Sequence, residues 1–150
     1  MRIPARETRG QLARARIDSR GEASDDQPTV AAISRGSREA FASLFDRASG
    51  AVWAELAVRL PDADRAATVF AATFVEVWWL AGCHSGPELD AAEWIRRILH
   101  RRIADEDPVG WRQSRTPRPT WEVAAELRPS CAELELAALL GRPVGQLRPA

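Results

Sequence analysis

Lysine is absent from this 150-residue chain: all 21 basic residues are arginine, and 21 acids balance them to a formal net charge of zero. A protein that simply coats nucleic acid needs a positive excess, so any contact with a polyanion must come from a local patch. Arginine's planar fork suits phosphate and carboxylate, although a GC-rich coding sequence produces the same composition. Cysteine is nearly absent too. Cys83 and Cys131 stand far apart without metal-ligand spacing, which excludes a disulfide framework and leaves two reduced thiols. Cys83-His84 with His100 lacks the second close ligand pair that a zinc site requires.

Other absences narrow the class further. No apolar run approaches the roughly 18 residues of a membrane span, and the N-terminus lacks the apolar middle of a secretion signal. A cytoplasmic protein with no membrane partner is the expectation. There is no internal repeat, no glycine-rich phosphate loop, and no Ser/His/Asp or Cys/His arrangement with a recognisable signature. The reading is therefore not an enzyme, with no catalytic residue, cofactor or metal expected.

What is present is helical periodicity. In Asp62 to Gly82, the residues Ala66, Phe70, Thr73, Phe74, Val77, Trp78 and Ala81 recur in steps of three and four and predict a core-facing stripe. Asp62 after Pro61 suits an N-cap, Asp64 suits the positive end of the helix dipole, and Gly82 suits a left-handed stop. The opposite stripe is Arg65, Thr68, Ala72, Glu76 and Trp79, which water should reach. An exposed tryptophan beside a glutamate is a candidate contact surface, although single exposed aromatics are also ordinary on protein surfaces.

Around this segment the chain reads as follows. Residues 1–20 hold six arginines against Glu7 and Asp18 with no sustained apolar stripe, so residues 1–28 are expected to form a flexible arm. Val30 and Ile33 suggest a short helical turn that breaks at Arg35-Gly36. Ser37 can cap a helix buried through Phe41, Leu44, Phe45, Ala48, Val52, Leu56 and Leu60, and Pro61 should end it. That helix and the next form a helical hairpin.

After a Gly/Pro loop, Asp90 and Glu93 fit a capping box for a helix buried through Trp94, Ile95, Ile98, Leu99 and Ile103. Its other face carries Arg96, Arg97, His100, Arg101 and Arg102, with Glu93–Arg97 and Arg101–Asp105 at helical pairing distance. By residues alone this stripe is as compatible with a solvated face as with a phosphate-binding one. Residues 111–119 read as an extended basic linker, and Cys131 to Leu140 as a last helix ending at Gly141.

The runs Ser37-Arg38-Glu39-Ala40-Phe41, Thr73-Phe74-Val75-Glu76-Val77-Trp78, and Trp94-Ile95-Arg96-Arg97-Ile98-Leu99-His100-Arg101-Arg102-Ile103-Ala104-Asp105 occur in this order. Together they resemble region 2 of the extracytoplasmic-function sigma factors of bacteria, over roughly residues 29–107. Residues 132–145 are similar to the helix and turn that precede the recognition helix of that family's second DNA-binding module. With the chain ending at Ala150, that module is expected to be vestigial.

The resemblance implies an all-α fold, a small helical bundle over 29–108, with the flexible arm before it and a basic linker and vestigial helix over 109–150. It also implies transcription initiation. The exposed side of the 62–82 helix, with Thr68, Glu76 and Trp79, would dock on core RNA polymerase. The last helix of the bundle and the loop before it would hold promoter DNA, through Arg96, Arg97, Arg101, Arg102 and His84. The chain departs from the family at Ala71 and Ala72, where polar residues are usual, and at Glu106-Asp107-Pro108, where basic residues are usual. An alternative expectation follows: a degenerate domain that binds an anti-sigma factor or another regulator without reading DNA.

Overall fold

In a computed structural model, the structure describes residues 25–83, 89–106 and 129–149. All secondary structure among these residues is helical. We name α1 (25–34), α2 (Arg38–Arg59), α3 (Ala63–Leu80), α4 (Ala91–Asp105) and α5 (Cys131–Leu140), with 3-10 turns at Ala81–Cys83 and Val144–Gln146. The expected linker at 111–119 and residues 1–24 of the expected arm lie outside the described residues.

Local chemistry sets the helix limits. Ser37 caps α2 by accepting from the Ala40 amide, Asp62 caps α3 by accepting from Asp64 and Arg65, and Asp90 caps α4 by accepting from Glu93. The α2 helix stops at Arg59, because Leu60 before Pro61 is extended. Gly36 and Gly141 take left-handed backbone, φ +88° and +64°, and close α1 and α5 in the same way. In each case the amide after the glycine reaches five residues back, Ser37 to the Ala32 carbonyl at 3.0 Å and Arg142 to that of Ala137 at 3.1 Å.

The central helix is α3, which touches α2, α4 and α5. An aromatic spine joins it to α2 in antiparallel register: Trp78 meets Phe41 at 5.4 Å, Phe74 meets Phe45 at 4.8 Å, and Phe70 meets Trp53 at 5.5 Å, all edge-on. From α4 the buried residues are Ala91, Trp94, Ile95, Ile98 and Leu99; the last four follow the predicted periodicity, whereas Ile103 in the final turn is only half-buried. Thr73 lies fully buried in α3, its hydroxyl donating to the Val69 carbonyl at 2.8 Å.

Four details differ from the sequence reading. Residues 25–28, assigned to the arm, belong to α1, and Asp26 there is buried. The helix ends at α3 without a left-handed glycine: Ala81 is right-handed and the chain tightens into a 3-10 turn through Gly82. The C-terminal segment is not peripheral, since Leu136, Leu139 and Leu147 enter the same core as α2 to α4. Finally, Ala63–Cys83 spans 21 residues and is long and apolar enough to cross a bilayer, contrary to the expectation from apolar runs; half of that window is buried inside the bundle.

Candidate functional site

Helical spacing places four arginines on the outer side of α4, because the apolar positions 94, 95, 98 and 99 must face α3 and the core. Each guanidinium already has an acidic neighbour. Arg97 pairs with Glu93 at 3.3 Å within α4 and is the most open of the four, with 77% of its side chain exposed. Arg96 reaches Glu55 of α2 at 3.6 Å. Arg101 and Arg102 both turn to Glu76 of α3: Arg102 Nε donates to Oε2 at 2.7 Å and Arg101 Nη2 donates to Oε1.

Sequence spacing pairs Arg101 with Asp105, but the structure gives Arg101 to Glu76. The physical reason is position. Glu76 sits where α3 meets α4, with only 16% of its side chain exposed, so its charge is poorly satisfied by water and takes two cations. The structure thus brings together one residue expected to face polymerase and two expected to face DNA.

The remaining docking candidates lie along the strip of α3 left between α4 and α5. Thr68 is half-buried and its hydroxyl donates to the Asp64 carbonyl at 3.1 Å. Trp79 remains 66% exposed, and its indole Nε1 donates to Glu135 of α5 at 2.9 Å. At the near end of the strip Arg65 pairs with Glu106, which joins α3 to the end of α4. His84 and residues 85–88 of the loop expected to border a base pocket lie outside the described residues.

A cavity of about 360 Å³ opens between Leu80 at the end of α3 and the outer side of α4. Leu80, Leu89, Trp94 and Ile98 supply apolar wall, while Asp90, Glu93, Arg97 and Arg101 supply polar and charged rim. The apolar wall suits a flat heteroaromatic group, and the two guanidinium groups suit a phosphate attached to it, set against the two carboxylates of the same rim.

Two further groups were not read from the sequence. Glu55 draws partners from two helices: His100 Nε2 of α4 lies 2.6 Å from its Oε1, Arg96 of α4 lies 3.6 Å from its Oε2, and Arg59 of its own helix lies 3.2 Å from its Oε1. The His100 hydrogen bond, helped by the charges of His100, Arg96 and Arg59, holds the Glu55 carboxyl below its usual range against the opposing effect of burial. At the other end of the bundle Arg142 grips Asp46 with two bonds of 2.6 and 2.9 Å and lies over the Phe45 ring. Those bonds lower the Asp46 pKa and raise that of Arg142. Both clusters join residues 45 or more apart in the chain, which single-helix spacing does not reveal.

Among the described residues no group of three His, Cys, Asp or Glu is placed to hold a metal ion, and Cys83 and Cys131 are both free and exposed. Comparison with known proteins yields no match, whether to a family model, to a curated protein or to a solved structure.

Proposed function

We propose that this chain is a sigma factor-like regulator, which binds core RNA polymerase through the α3 strip and promoter DNA through α4. The observation that carries the reading is the cavity beside α4, with an apolar wall and a rim on which Arg97 and Arg101 stand beside Asp90 and Glu93. A base leaving a duplex needs a stacking surface, and its flanking phosphates need cations held nearby. The ordered resemblance of the three sequence runs to region 2 of extracytoplasmic-function sigma factors supports the same reading. Thr68 and the exposed Trp79 are the docking residues, on a different side of α3 from the core.

A second reading is favoured by one observation: all four α4 arginines have carboxylates within 3.6 Å or closer. Phosphate binding must compete with those partners. In this reading the domain binds an anti-sigma factor or another protein regulator and leaves DNA alone.

The test is capture of purified bacterial core RNA polymerase by the full chain. Capture that is weakened by Trp79→Ala together with Thr68→Arg supports the first reading, because these changes touch the strip and not α4. No capture by the unaltered protein removes polymerase docking and leaves the regulator-binding reading.

A further inference from the structure

We propose that Glu76 is a gate on the nucleic-acid face: in the free protein it restrains Arg101 and Arg102, and a cationic group of the docking partner that takes its carboxylate releases them for phosphate. The inference rests on the proposed function for the identity of the partner, but the restraint itself depends only on this chain. Glu76 is the point of contact between the two faces. It lies on α3 beside the Thr68–Trp79 strip, while its oxygens are divided between two arginines of α4, one to each.

The chemistry sets the two states in competition. Arg101 bonds Glu76 through Nη2 and Arg102 through Nε, one nitrogen each, so their other donors stay open, but the Glu76 charge offsets the two cations and repels a phosphate brought to them. Their heads are nevertheless at the surface, with 55% and 41% of each side chain exposed, so release requires no unfolding. Glu76 is the more enclosed partner, and an arginine or lysine arriving along the strip would neutralise it in their place. By linkage the effect runs both ways: phosphate that draws the arginines off leaves Glu76 uncompensated and strengthens its hold on the cationic partner. Arg97, paired with Glu93 on its own helix and largely open, stands outside the gate and gives a basal phosphate contact.

The experiment uses the full chain and a fluorescein-labelled oligothymidylate, with anisotropy read over a range of salt. Glu76→Gln is expected to tighten binding about fivefold at low salt. The slope of log affinity against log salt should steepen by about 1.4, the release of two phosphate contacts on a single strand. In an Arg101→Ala/Arg102→Ala background Glu76→Gln should change nothing. Asp105→Asn removes the same charge from the exposed end of the same helix, where the carboxylate holds none of the four arginines, and serves as the control for general electrostatics. Equal tightening by Asp105→Asn, or tightening by Glu76→Gln that survives loss of both arginines, overturns the gate. If thermal unfolding shows that Glu76→Gln does not fold, Glu76→Asp replaces it: the shorter arm cannot span both guanidinium groups, so it should give a smaller tightening in the same direction, and none overturns the proposal. Failure of polymerase capture would remove the partner while leaving the gate measurable on the oligonucleotide. A flat response to Glu76→Gln would remove the gate whatever polymerase does.

Discussion

The Asp26 carboxylate of α1 accepts the Ala91 amide at the start of α4, at 2.9 Å and out of water. Asp90 satisfies the Glu93 amide of the same turn, so two carboxylates hold the positive end of α4. Arg47 of α2 lies 3.4 Å from the other Asp26 oxygen. The segment before Gly36 therefore fixes the position of the helix that carries the arginines.

This predicts that Asp26→Ala costs about 2 kcal/mol, the price of leaving a buried amide without its acceptor. Asp26→Asn should cost about 1 kcal/mol, since its oxygen can still accept while the charge at the helix end is lost. Urea unfolding followed by circular dichroism would show the two losses as shifts in midpoint at constant slope. An Asp26→Ala protein as stable as the original would mean that water replaces the carboxylate at Ala91.

Acid should loosen the bundle through Asp46 and Glu55. Both folded pKa values lie below the usual 3.8 and 4.5, the first through Arg142 and the second through His100 with Arg96 and Arg59. A depressed carboxylate pKa contributes stability that is complete above the unfolded value and is lost as pH falls through the folded one. The window is therefore below about pH 4.5, and raising pH above it should recover nothing more from these two groups. Asp46 is more than half exposed, so its pair with Arg142 is worth well under about 1 kcal/mol. Thermal midpoints measured from pH 3 to 6 (an interval chosen about the usual carboxylate pKa values) should fall less steeply in acid for Asp46→Asn/Glu55→Gln than for the unaltered chain.

What could be read in advance divides along the same line as these interactions. Caps, stops and apolar stripes are properties of neighbouring residues, so Ser37, Asp62, Asp90 and the faces of α2, α3 and α4 follow from spacing alone. Contacts between helices do not. Asp26 reaching Ala91, Glu76 drawing Arg101 away from Asp105, and Arg142 gripping Asp46 each depend on tertiary placement. The capping box at the start of α5, where Ser130 and Glu133 exchange bonds, is a neighbour pattern of the same kind but was not read from the sequence. Its helix has two buried leucines in ten residues, too few turns for periodicity to tell a core helix from a surface one.

Gly36 and Gly141 test the helix stops. An added Cβ would meet nothing within 4 Å at either position, so the cost of substitution is the left-handed backbone alone. Gly36→Ala and Gly141→Ala should each cost about 1 kcal/mol. Gly50 and Gly145 are equally open but have no positive φ, so Gly50→Ala, inside α2, should stabilise by about 0.5 to 1 kcal/mol. Opposite signs for Gly141→Ala and Gly50→Ala in one chemical-unfolding series would confirm that conformation and not space decides the outcome.

The last prediction concerns whether α5 belongs to the bundle. Leu136 is fully buried against the core and Leu147 nearly so, whereas Leu134, two residues from Leu136, is 53% exposed. Leu136→Ala and Leu147→Ala should each cost about 3 kcal/mol, because both the transfer of the side chain and the cavity left behind count against the fold. Leu134→Ala should cost under about 0.5 kcal/mol. The loss must also appear far from α5. Hydrogen exchange at α2 and α3 amides should accelerate in Leu136→Ala in proportion to the global destabilisation if the bundle unfolds as one unit. Faster exchange confined to residues 129–149, with α2 and α3 unchanged, would instead show that α5 detaches by itself, and the aromatic spine of Phe41, Phe45, Phe70 and Phe74 would then suffice for the fold.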